Sequence, residues 1–184
     1  MKHTFSAKNI TIVAMFTAIT AVLAQISIPL PFTTVPITMQ VFAIYLSEII
    51  LGRKLGFISQ IVYLLLGSIG APVFAHFSGG MQCVLGPTGG FLIGFPIVTY
   101  IIGMIPDKKL SVIKSISLLI ISIILLYAMG VIQLSIVTKI SLSKAIIIGA
   151  LPFIPLDIVK IIVAYVVGIK IRERLEKGNL IKTC

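Results

Sequence analysis

Long apolar runs alternate along this chain with short clusters of proline, glycine and charge, and the runs come close to the length that crosses a bilayer. Read by length and punctuation, they predict helices at 9–27, 36–52, 56–74, 88–105, 113–134 and 146–170. The connections fall into two kinds. Those at 28–35 and 75–87 contain no Lys, Arg, Asp or Glu and are rich in Pro, Gly, Thr and Ser, which suits a lid or a ligand contact. Those at Gly52-Arg53-Lys54 and Pro106-Asp107-Lys108-Lys109 are short, basic turns. The expected architecture is an all-α membrane protein, a six-transmembrane-helix bundle in which 1–184 forms a single integral membrane domain.

Composition agrees with lipid as the solvent, since 58% of the residues are hydrophobic and only 11% charged. The net charge of +10 raises the question of nucleic acid, but the basic residues sit at helix ends, where anionic lipid headgroups lie. No nucleic-acid partner is expected. With both termini cytoplasmic, Lys2, Lys8, Arg53, Lys54, Lys108, Lys109, Lys114, Lys170, Arg172, Arg174, Lys177 and Lys182 lie inside, and only Lys139 and Lys144 lie outside. The positive-inside rule selects that orientation, in a cell membrane. Lys2 and Lys8 ahead of an apolar stretch resemble a signal peptide, yet equally apolar segments follow without a cleavage motif, so the stretch reads as the first helix. Cys83 and Cys184 fall on opposite sides of the membrane in this topology and cannot pair within one chain.

Two charges interrupt the last apolar run. Asp157 and Lys160 are flanked by Ala150-Leu151-Pro152-Phe153-Ile154-Pro155-Leu156 and by Ile161-Ile162-Val163-Ala164-Tyr165, where each charge costs about 2.5–3.5 kcal/mol on insertion scales. Their i,i+3 spacing puts them on one helix face, pointing into the bundle. They either line a polar site or pair only with each other to lock the bundle. Pro152 and Pro155 should break or kink the helix just before them.

A glycine turn, Gly86-Pro87-Thr88-Gly89-Gly90-Phe91, runs into the fourth predicted helix. Its free amides and bare Gly89 and Gly90 backbone suit an acceptor oxygen at a helix N-terminus; equally, Gly90 and Gly94 form a small-xxx-small pair suited to helix packing. The Lys-Ser/Thr of a nucleotide-binding P-loop is missing. Gly80, in Phe77-Ser78-Gly79-Gly80, and Phe32, beside Thr33 and Thr34, stand in loops able to close over a small molecule. His76 has no second ligand at metal spacing, so no metal site is expected. Paired acids or a Ser/His set for intramembrane catalysis are also missing, so the chain reads as no enzyme. Ala14, Ala18 and Ala21 place small residues on one face of the first helix, for close approach of a helix from within or from a partner.

Three runs together resemble the BioY family, the biotin-capturing S component of energy-coupling-factor (ECF) vitamin transporters. They are Ile28-Pro29-Leu30-Pro31-Phe32-Thr33-Thr34-Val35-Pro36-Ile37-Thr38-Met39-Gln40, the pair Phe77-Ser78-Gly79-Gly80 and Gly86-Pro87-Thr88-Gly89-Gly90-Phe91, and Pro155-Leu156-Asp157-Ile158-Val159-Lys160. The resemblance implies the S-component fold and a biotin site drawing on Asp157, Lys160, Gly80, Thr88, Gly89, Gly90, Phe32 and Gln40. It also implies that Ala14 and Ala18 dock a membrane coupling subunit (EcfT-like) driven by two cytoplasmic ATPase subunits. Biotin would be the transported ligand, with no cofactor. A solitary or proton-coupled carrier, and an S component for another vitamin, are the alternatives.

Overall fold

The computed structural model describes residues 6–108 and 110–178. Lys2, Lys109, Lys182 and Cys184 lie outside them. The chain runs α1 (Ala7–Ala24), β1 (Ser27–Leu30), β2 (Thr33–Thr38), α2 (Gln40–Leu51), α3 (Arg53–Ser68), α4 (Met81–Leu85), α5 (Gly89–Ile102), α6 (Met104–Asp107), α7 (Val112–Thr138), α8 (Leu142–Gly149) and α9 (Ile154–Lys177), with a 3-10 turn at Ala75–Phe77.

Polar side chains set several helix ends. Ser6 caps α1 by accepting from the amide of Asn9 at 3.3 Å, and Ser141 caps α8 by accepting from Lys144 at 3.4 Å. Pro155 falls in the first turn of α9, where its missing N–H leaves no bond unmade, so the break lies at Ala150–Phe153 and the two helices meet at 53°.

The fold is mostly helical but not all-α. Residues 27–38, expected as the last residue of one helix, a loop and the start of the next helix, form an antiparallel hairpin pairing Ser27 with Thr38 and Ile28 with Ile37. The physical reason is local: Thr33, Thr34, Val35, Ile37 and Thr38 are β-branched, and Pro36 stands among them where a helix interior would lose a hydrogen bond. This hairpin removes residues 36–38 from the helix expected at 36–52 and Met39 becomes its N-cap, leaving α2 with 12 residues, about 18 Å of rise.

Among the described residues, three helical stretches are long and apolar enough to cross a membrane, Ala7–Ala24, Gly89–Asp107 and Val112–Thr138, and the bent pair Leu142–Gly149 and Ile154–Lys177 makes a fourth if counted as one. The outer surface is itself apolar: Ile113, Ile120, Ile124, Val159 and Ile162 are exposed along α7 and α9. In water such a face would be unstable; against acyl chains it is matched.

The core joins Ile44, Tyr45, Ile49, Tyr63, Phe95, Val98, Leu126 and Ile161 from α2, α3, α5, α7 and α9. Glycine permits the tightest of these crossings. A Cβ at Gly90 would meet the backbone carbonyl of Met129, and one at Gly130 would meet the ring of Phe91, so α5 and α7 approach backbone to backbone at Gly90 and ring to backbone at Gly130.

Candidate functional site

Residues from most of the chain surround a cavity of about 200 Å³ between the hairpin, the loop after α3, and helices α5, α7 and α9. Phe74, Phe91, Phe95, Tyr127 and Phe153 provide aromatic walls. Phe91 and Tyr127 meet edge to face, with centroids 6.1 Å apart, which fixes both rings.

The polar end is built on α9. Asp157 and Lys160 pair at 2.7 Å and both line the cavity, with side chains only 8% and 13% exposed. Neither charge relies on the other alone. Tyr127 donates to the second oxygen of Asp157 at 2.7 Å, and Lys160 Nζ donates to the carbonyl of Thr38 at 2.7 Å. An ammonium has three N–H groups, so Lys160 retains one for an acceptor inside the cavity. The opposed charges cancel, and the cavity presents one ammonium donor and one carboxylate acceptor without net charge.

Thr38 extends this network into α2. Its hydroxyl donates to Gln40 Oε1 at 3.1 Å, Gln40 Nε2 donates to the Tyr63 hydroxyl at 2.8 Å, and Tyr63 donates to the carbonyl of Val73 at 3.0 Å. The strand end, the start of α2 and the loop after α3 are thus tied in series.

That loop is held from α1 by a residue the sequence reading did not single out. Gln25 accepts from the amide of Phe77 at 2.8 Å while its Nε2 donates to the carbonyls of Ala21, Val73 and Phe74 at 2.9–3.3 Å. His76 and Phe77 both adopt left-handed backbone, with φ of 58° and 54°, a conformation that persists only where its surroundings enforce it. His76 lines the cavity and its Nδ1 lies 3.2 Å from the Ser27 hydroxyl.

Of the residues singled out from sequence for ligand contact, Asp157, Lys160, Gln40 and Thr88 line this cavity, whereas Gly80, Gly89, Gly90 and Phe32 do not. Gly89 donates its amide to Gly86, and a Cβ on it would meet the carbonyl of Val84. Gly90 faces Met129, and Gly80 donates to the carbonyl of Gly67 at 2.6 Å. Gln133 fastens the turn from α7, donating to the carbonyls of Val84 and Gly86 at 2.8 Å. The glycine turn therefore shapes the wall behind Thr88 rather than offering its own backbone to the cavity. Phe32 is exposed at the hairpin tip. Tyr127 escaped the sequence reading; its one signal was a hydroxyl in an otherwise apolar stretch of α7.

Among the described residues no cluster of His, Cys, Asp and Glu is arranged to hold a metal ion. Ala14 and Ala18 lie exposed on α1, away from the cavity.

Comparison with known proteins converges on one family. The chain is 44% identical over 173 residues to a probable biotin transporter BioY of Pyrococcus horikoshii, covering 94% of this chain and 98% of that protein. It is 40% identical over 159 residues to the biotin transporter BioY of Thermotoga maritima, covering 86% and 92%. A crystal structure at 2.1 Å of the S-component for biotin from an ECF-type ABC transporter matches with a TM-score of 0.84 at 32% identity, covering 94% of this chain and 95% of that one. With residues 1–177 matching the BioY family as well, the chain belongs to that family.

Proposed function

We propose that this protein captures biotin as the substrate-binding subunit of an ECF-type transporter. The observation that carries the reading is the cavity itself, an apolar, aromatic-walled space with one paired ammonium and carboxylate at its end. Biotin has the complementary chemistry: an apolar bicycle and chain, a ureido group that donates and accepts, and a carboxylate. The third N–H of Lys160 meets an acceptor oxygen of the ligand, Asp157 accepts from a ureido N–H, and the rings of Phe74, Phe91 and Phe153 enclose the apolar part. Gln40 and Thr88 supply further polar contacts. Gly80, Gly89, Gly90 and Phe32 act through the walls and mouth of the site.

The chain is a transport subunit, not an enzyme. It lies in a prokaryotic plasma membrane as a multi-pass protein with both termini cytoplasmic, and six segments cross: α1, α2, α3, α5 with α6, α7, and α8 with α9. The short α2 completes its crossing with the hairpin at its N-terminal end. Ala14 and Ala18 form the docking face for an EcfT-like coupling subunit, which two cytoplasmic ATPase subunits drive; the support is that both alanines are exposed on α1.

Binding of labelled biotin to the purified protein tests the capture reading. Saturable binding that excess biotin displaces and thiamine or riboflavin does not is expected. Unchanged biotin affinity in folded Asp157→Asn and Lys160→Ala proteins would overturn the site.

A further inference from the structure

Glu48 is an interior carboxyl that the cavity does not use. It sits on α2 with no exposure, and neither of its oxygens has a hydrogen-bond partner among the described residues. Its carboxylate lies against Gly56 of α3, where a Cβ would collide with it. One turn further along α3, Gln60 is likewise fully buried, and its Oε1 also lacks a donor.

The side chains nearby have spent their protons. Thr20 donates to the carbonyl of Phe16 at 2.9 Å, Ser59 to that of Gly56 at 2.8 Å, and Ser47 to that of Ala43 at 2.6 Å. Gln60 Nε2 is directed at Thr20 and Ser59, at 3.3 and 3.4 Å. The seam between α1, α2 and α3 therefore holds a surplus of acceptors and lacks a donor.

Among the described residues, the charged groups on neighbouring elements do not supply one. Asp107 of α6, the acidic group whose charge acts on Glu48, is attended by Arg53 of α3 and Arg172 of α9 at 3.9 Å each. Arg172 also pairs with Glu176 at 2.8 Å and donates to the carbonyl of Ile50. Lys8 of α1 is exposed, and Tyr100 of α5 lies under the Arg53 guanidinium. An ionised, unpaired carboxylate at such depth costs several kcal/mol. A proton removes the charge and creates the missing donor in one step.

We propose that Glu48 is a proton-binding site, a carboxyl that takes one proton from solvent and holds it in the α1–α2–α3 seam, with Gln60 Oε1 as the open acceptor. The site is separate from the ligand cavity and stands or falls independently of biotin.

Infrared spectroscopy of the full-length protein in lipid nanodiscs tests it, at a pH where exposed carboxyls are ionised. A carbonyl stretch of a neutral carboxylic acid is expected in the native protein and lost in Glu48→Gln. Absence of the band, its survival in Glu48→Gln, or its replacement by a carboxylate band on adding sodium ions would overturn the proposal. If Glu48→Gln does not fold, native protein carrying carboxyl-labelled glutamate decides. The band must move with the isotope, because Glu173 is exposed and Glu176 is ion-paired; an unshifted band belongs to an aspartate and overturns the assignment.

Discussion

Lys160 reaches across 122 positions of sequence to donate to the carbonyl of Thr38 at 2.7 Å, so the last helix and the hairpin brace one another through a charged hydrogen bond. That bond and the pair with Asp157 make Lys160 the residue on which the polar end of the cavity turns.

Replacing Lys160 with methionine keeps the stem and removes the charge. Asp157 is then a buried carboxylate with Tyr127 as its remaining donor, and the loss of stability should approach the about 3–5 kcal/mol of a broken buried pair. The double variant Asp157→Asn/Lys160→Met should recover most of it. Thermal unfolding in detergent, compared between the single and double variants, checks the sign.

Tyr127→Phe removes only the hydroxyl that orients Asp157 and keeps the edge-to-face contact with Phe91. A hydrogen bond to a charged group contributes about 1.5–3 kcal/mol, so biotin affinity should fall roughly tenfold or more while the fold is retained. Calorimetric titration reads this directly; equal affinity would show that Asp157 needs no such orientation.

Gly90→Ala places a methyl group against the carbonyl of Met129, with no flexible side chain to give way. The expected cost is about 1–3 kcal/mol, seen as a lower melting temperature. The folded fraction should bind biotin with native affinity, because Gly90 does not line the cavity.

Gln25→Ala removes the side chain that fastens the left-handed His76-Phe77 turn to α1. Hydrogen exchange should quicken in residues 73–78 well ahead of the helices, and biotin should dissociate faster. A turn that exchanges as slowly as before would assign the restraint to Ser27 and His76 instead.

Bulky residues at Ala14 and Ala18 should abolish copurification with the coupling subunit and leave biotin binding intact. Loss of both would point to a packing role for that face.

Much of the helical order was readable from sequence because apolar length is a strong signal: the run over 113–134 became α7, and Pro152 and Pro155 marked the bend between α8 and α9. The hairpin was not readable in the same way. Its threonines and prolines look like loop, and its strand character depends on pairing Ser27–Leu30 with Thr33–Thr38, a tertiary fact. In the site, buried charge announced Asp157 and Lys160, since intramembrane ionisable groups are rare and costly. Glycines gave an ambiguous message, as a missing Cβ serves a ligand or a neighbouring helix equally; at Gly89 and Gly90 the neighbours are Val84 and Met129. Gln25 carried no advance signal, and Tyr127 only a hydroxyl in an apolar stretch, because their importance lies in partners that only the folded chain brings near.

The left-handed pair at His76 and Phe77 carries a cost that glycine would avoid. A segment held in that state by Gln25 and Ser27 behaves as a cocked latch. Releasing both tethers would relieve backbone strain, so part of the cost of moving this corner is already stored in the closed turn.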